Sequence, residues 1–139
     1  MRTILQLATD GVQKLVPYKA GKPIEELERE LGLSNIIKLA SNENPLGIGS
    51  KAKMAIENAL DHLALYPDGN GFHLKMALAQ KYGVEPAQIT LGNGSNELLE
   101  LIARTFLTTE TEVIFSQHAF AVYPIVTQAV GAKGHHTGY

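Results

Sequence analysis

Between residues 88 and 130 short apolar runs alternate with longer apolar stretches, and this alternation constrains the fold more than any other feature of the chain. Gln88-Ile89-Thr90-Leu91 reads as a strand, Gly92-Asn93-Gly94-Ser95 as a tight turn, and Asn96 to Leu107 as a nearly all-apolar helix that should be buried. Glu112-Val113-Ile114-Phe115 reads as a second strand. Residues 121 to 130 read as a further helix, with Val122, Ile125, Val126, Ala129 and Val130 on one face interrupted by Pro124. Strand, helix, strand, helix predicts an α/β sheet with crossover connections. The final stretch, Gly134-His135-His136-Thr137-Gly138-Tyr139, stands where another strand is due. Two or three strands make a poor parallel sheet, which needs both faces covered and is normally larger. The chain is therefore expected to be a truncated portion of a longer protein.

Upstream, Ile4, Leu5, Ala8, Val12, Leu15 and Val16 fall roughly at helical spacing, weakened by Gly11 and ended by Pro17, which describes an arm with one sticky face. Pro23 sits at a first helical position, Ile24, Leu27 and Leu31 share a face, and Gly32 is placed as the stop. Ile36 to Ala40 looks extended, and Ser41-Asn42-Glu43-Asn44-Pro45-Leu46-Gly47 is a polar turn. Ser50 is an N-cap candidate for a helix carrying Ala52, Ile56, Ala59 and Leu63, which Tyr66-Pro67-Asp68-Gly69 breaks. Residues 71 to 82 repeat the helical pattern, with Gly83 as the stop.

Composition excludes several classes. Twelve basic residues against 14 acidic, a net charge of -2 and no Lys/Arg cluster argue against a nucleic-acid partner. Without cysteine there is no disulfide framework and no thiolate metal site. The five histidines show no ligand pair with a carboxylate at helical spacing, so no metal site is assigned. Residues 1–10 are too polar for a signal peptide and nothing approaches about 18 uninterrupted apolar residues, so no membrane association and a cytoplasmic location are expected.

Gly92-Asn93-Gly94-Ser95-Asn96-Glu97 lies between a strand and a buried helix, where free backbone N–H groups and a positive dipole end suit a phosphate. A plain glycine turn, with Ser95 or Asn96 as N-cap and Glu97 complementing the dipole, accounts for the same residues. The turn is no dinucleotide fingerprint, since Glu97 holds the place of the third glycine, and no Walker loop, since Gly-Lys-Ser/Thr is missing.

Three motifs in order, Lys38-Leu39-Ala40-Ser41-Asn42-Glu43-Asn44-Pro45-Leu46-Gly47, then Tyr66-Pro67-Asp68, then Gly92 to Glu97, resemble the histidinol-phosphate branch of the fold-type I aminotransferases. The resemblance covers nearly the whole chain. It implies the N-terminal portion of a fold-type I pyridoxal 5′-phosphate (PLP) dependent transferase, with an incomplete mixed or parallel sheet flanked by helices. Residues 1–70 would supply the N-terminal arm and the start of a small domain, and 71–139 the first part of a large PLP-binding domain.

The implied roles follow the motifs. Gly94, Ser95, Asn96 and Glu97 would hold the PLP phosphate, Phe120 (three residues before Tyr123) would stack on the pyridine ring, and Tyr66 would reach the phosphate of a homodimer partner's cofactor. Tyr18 would close over the partner's substrate phosphate, and Asn44, in the loop with Asn42 and Glu43, would contact the substrate. Turn formation alone explains Asn44 equally well. The implied reaction exchanges an amino group between L-histidinol phosphate and 2-oxoglutarate, in histidine biosynthesis. In this family the Schiff-base lysine, the aspartate at the pyridine nitrogen and the arginine for the substrate carboxylate lie downstream. None of the nine lysines here is expected to play that part, so no catalytic residue is assigned and the chain alone is expected to be inactive. Two alternatives stay open: an aminotransferase for aromatic or other amino acids, and a non-catalytic module binding a phosphometabolite.

Overall fold

Glu112–Ser116 (β1) and Lys133–Thr137 (β2) form a two-stranded parallel sheet in the computed structural model, which describes residues 3–138. Residues 1, 2 and 139, which open the polar N-terminal stretch and close the histidine-bearing end read above, lie outside the described residues. Lys-Gly-His-His-Thr is a weak strand former by propensity. It pairs because the crossover helix Val122–Ala129 (α6) returns the chain beside β1, and because Gly134 leaves room for a ring. A Cβ at 134 would stand 2.8 Å from Cε1 of Phe115. Phe115 is buried there, edge-on to His136 at 4.9 Å and tilted against Tyr123 at 6.4 Å. Ile114, one residue earlier, points to the opposite face of the sheet and is exposed. One face is thus covered and the other bare.

Before β1 runs the helix Ser95–Phe106 (α5), with Glu97 in its first turn and Arg104 in its last, each complementing the dipole. It packs beside α6. Proline at the third position of α6 is tolerated because first-turn N–H groups have no intrahelical acceptor. Thr127, buried on α6, donates to the Tyr123 carbonyl at 2.8 Å, so its hydroxyl is satisfied. Gly131, at φ 81°, ends the helix where a side chain would strike Thr109.

The chain divides into two compact units, residues 1–18 with 75–139 and residues 19–74. The first unit contains the arm, whose helix Asp10–Gln13 (α1) packs on α6. The second contains Ile24–Leu31 (α2), closed by Gly32 at φ 65°, then Ser50–Ala59 (α3) and the start of Phe72–Tyr82 (α4). Asp68 accepts the N–H groups of Asn70 and Phe72, both at 2.9 Å, and so starts α4.

Several expectations need correction. Residues 89–91 form no strand: a 3-10 turn, Pro86–Gln88, runs into Ile89 in extended conformation, and residues 89–91 join no ladder among the described residues. A strand requires a neighbouring ladder, and β1 is paired with β2 instead. Helix α5 is not buried. Only Ala103 is inaccessible, while Leu101, Ile102 and Phe106 are exposed, because among the described residues only one flank of α5 is packed. The arm is not one helix but a 3-10 turn, Leu5–Leu7, and α1, separated by extended Ala8. The residue preceding each helix is Gly49 rather than Ser50 for α3, and Gly94 rather than Ser95 or Asn96 for α5.

Candidate anion-binding turn

Gly94 sets the geometry of the turn before α5. Its φ of 84° lies in the region that disfavours a side chain, and its N–H is taken by the Gly92 carbonyl at 2.9 Å. No side chain caps the helix. The N–H groups of Ser95, Asn96 and Glu97, the first three of α5, have no acceptor within the helix and point along its positive end. The Glu97 carboxylate turns back, accepting the Asn93 backbone N–H at 2.5 Å and the Asn93 side-chain amide at 3.2 Å. The sequence reading gives Glu97 a backbone donor and a carboxylate that complements the dipole, but not this tie to Asn93; the signal for it is an acid at the third helical position behind a polar turn.

Topology brings a second expected residue to the same end. Arg104, in the last turn of α5, and Thr109 beyond it line one cleft with Gln128, Ala129 and Gly131 at the end of α6. The two helices therefore run in the same direction, and their N-termini share the carboxyl end of β1, where open α/β sheets bind ligands. Phe120 lies in the loop that enters α6 at this end, with its carbonyl accepting the Tyr123 N–H at 3.0 Å. Tyr18 meets Phe120 edge-on, ring centroids 5.3 Å apart. Both rings are partly exposed.

Other expected residues belong to the second unit. Asn44 spends both side-chain groups on its own turn, accepting the Leu46 N–H at 3.1 Å and donating to the Gly47 carbonyl at 3.0 Å. Lys38 and Glu43 close the same loop with an ion pair at 2.6 Å, and Ser41 and Asn42 take positive φ. Tyr66 is fully exposed. Ser50-Lys51 is a serine–lysine pair in sequence, but it opens α3 as an exposed first turn, in the unit without the anion turn.

One charged cluster outside the turn is Glu112, held by Lys133 at 3.1 Å and His135 at 3.0 Å; another is Lys22 with Glu26 and Glu30. The Lys133 hydrogen bond, then that of His135, holds the Glu112 carboxyl below its ordinary value. Glu112 and Lys133 begin their strands, at the end opposite to Phe120. Among the described residues no three His, Asp or Glu side chains could hold a metal ion, and no helix is long and apolar enough to cross a membrane.

A glycine-led helix N-terminus at the carboxyl end of a parallel strand pair is the geometry by which open α/β proteins meet anionic ligands, and it places the chain in the α/β class. Residues 34–137 match the aminotransferase class I and II family, and the chain belongs to that family. It is 66% identical over 131 residues to histidinol-phosphate aminotransferase 1 of Mannheimia succiniciproducens, covering 94% of this chain and 36% of that protein. It is 61% identical over 129 residues to histidinol-phosphate aminotransferase 2 of Pasteurella multocida, covering 93% of this chain and 35% of that one. The chain thus spans about a third of the length of the curated relatives it matches. Among solved structures, histidinol-phosphate aminotransferase from Sinorhizobium meliloti in complex with pyridoxal-5′-phosphate is similar at a TM-score of 0.78 and 27% identity, over 94% of this chain and 34% of that one.

Proposed function

We propose that this chain contributes the cofactor-phosphate seat of a PLP-dependent aminotransferase that exchanges an amino group between L-histidinol phosphate and 2-oxoglutarate. The observation that carries the reading is the anion turn, three acceptorless N–H groups behind Gly94, in a chain of the aminotransferase family whose relatives at 61–66% identity bear the histidinol-phosphate name. The donor set fits a phosphate group: three oriented N–H groups, a positive helix end, and a glycine conformation that lets an anion approach the backbone.

When bound, PLP supplies an electron sink for the carbon that carries the amino group. This chain's own residues bind and orient. Ser95, Asn96 and Glu97 donate backbone hydrogen bonds to the phosphate, while Gly94 contributes conformation rather than a donor. Phe120, partly exposed at the same end, offers a ring face for stacking. Tyr66, free of the chain's own packing, reaches a homodimer partner's site; Tyr18 and Asn44 contact substrate, Asn44 through the second amide hydrogen and lone pair that its turn leaves over. The domain boundary near residue 70 and a cytoplasmic location complete the reading.

The test is a chimera in which this chain replaces the matched segment of the Mannheimia succiniciproducens relative. Transamination of L-histidinol phosphate with 2-oxoglutarate is expected. A chimera that binds PLP yet prefers aromatic amino acids would overturn the substrate, and a folded chimera unable to hold PLP would overturn the seat.

A further inference from the structure

Glu97 reaches past the position its residue type normally serves. In the usual capping arrangement an acid at the third helical position accepts the N–H of the residue capping the helix. Here that residue is Gly94, whose N–H is already given to the Gly92 carbonyl, and Glu97 accepts from Asn93 one residue further out. The same carboxylate oxygen takes the Asn93 side-chain amide. Gly92 makes room for it, since a Cβ there would stand 3.0 Å from Glu97 Oε2 and 3.1 Å from the Leu98 side chain. The N–H groups of Asn93 and Gly94, the two residues next to the helix, are therefore spent internally, while those of Ser95, Asn96 and Glu97 are not. The side chains of Ser95 and Asn96 also have no hydrogen-bond partner among the described residues.

We infer that Glu97 is a positioning residue: its carboxylate holds the Asn93 N–H and thereby confines a bound phosphate to the N–H groups of Ser95, Asn96 and Glu97. The inference rests on the reading of this turn as a phosphate seat and adds which donors serve it and why. Free of Glu97, the Asn93 N–H becomes an extra donor, the loop before Gly94 loses its tie, and an anion can settle off the helix axis.

The test uses residues 1–139, inorganic phosphate as the probe, and backbone amide NMR. In the wild type, phosphate is expected to shift the Ser95, Asn96 and Glu97 amides and to leave Asn93 unmoved. In Glu97→Ala the Asn93 amide should exchange with solvent at least about tenfold faster, as expected for loss of a charge-assisted hydrogen bond. Asn93 should then join the amides that phosphate shifts. Glu97→Gln, which keeps an acceptor oxygen, should restore much of the Asn93 protection. General weakening of α5 would instead speed exchange along the whole helix. Equal Asn93 exchange in wild type and Glu97→Ala, or a phosphate-induced Asn93 shift in the wild type, would overturn the inference. Phosphate that shifts none of the amides 95–97 would overturn the seat and with it the steering, whereas the exchange rates judge the brace independently.

Discussion

Gln128 donates from Nε2 to the carbonyl oxygen of Gly11 at 3.1 Å, a bond that spans 117 residues of chain. It ties α1 to the end of α6, and Gly11 is what allows the approach. A Cβ on Gly11 would overlap the Gln128 carbonyl oxygen and press on that of Ala129 at 3.1 Å. These are backbone atoms with no rotamer to relieve the clash.

Gly11→Ala is therefore expected to release the arm and to destabilise the first unit by about 1–3 kcal/mol, the usual cost of overpacking. Limited proteolysis should open residues 3–18, and the urea midpoint should fall. Gln128→Ala, which removes only the hydrogen bond, should cost about 0.5–1.5 kcal/mol. A Gly11→Ala variant with an unchanged midpoint would refute the close approach.

Phe115 carries the packing between the sheet and α6. Phe115→Ala should cost about 3–5 kcal/mol, as for other buried aromatic truncations. Ile114→Ala, on the bare face of the same strand, should cost well under half as much. Equal losses in a denaturation series would mean that the sheet is covered on both faces or on neither.

The Glu112 carboxyl lies below its ordinary value of 4.5, through Lys133 first and His135 second. A depressed carboxyl contributes stability that is complete above pH 4.5 and is lost as the pH falls through the lowered folded value. Wild type and Glu112→Gln should thus differ most near neutrality and converge in acid. Salt should reduce the neutral difference, because the cluster is exposed. A difference that grows on acidification would contradict the sign.

The anion turn alone should hold PLP weakly. A helix N-terminus contributes up to about 2 kcal/mol to an anion, whereas micromolar affinity requires about 8 kcal/mol. Residues 1–139 are expected to show no absorbance band of a lysine-bound cofactor and no transamination. A stable adduct with Lys51 or any other lysine of the chain would reverse this expectation.

Much of the local structure was legible from residue type. Gly32 and Gly83 stop their helices in left-handed conformations, and Asp68 starts α4, because a missing Cβ or a short carboxylate acts within a few residues of itself. The turn at Gly94 and the helix behind it were legible for the same reason. The exposure of α5 was not, since apolar residues declare that a helix can be buried and not what stands beside it. Residues 89–91 misled similarly: β-branched Ile89 and Thr90 favour extended backbone locally, but a strand exists only through its neighbour.

The sequence by itself determined where α2 and α4 stop, that the second half carries helices between strands as an α/β unit, and which turn presents free N–H groups. Those outcomes depend on φ preferences, hydrophobic period and caps, all of short range. Only the tertiary structure decided that Lys133–Thr137 pairs in parallel with β1 despite its composition, that Gly11 is a contact with α6 rather than a weak point in a helix, and that Tyr18 lies against Phe120. Only it decided that the Glu97 carboxylate is tied back to Asn93. Except for that short tie, each joins residues far apart in the chain through space left or filled by one side chain. Such space is a property of packing, which no single segment encodes.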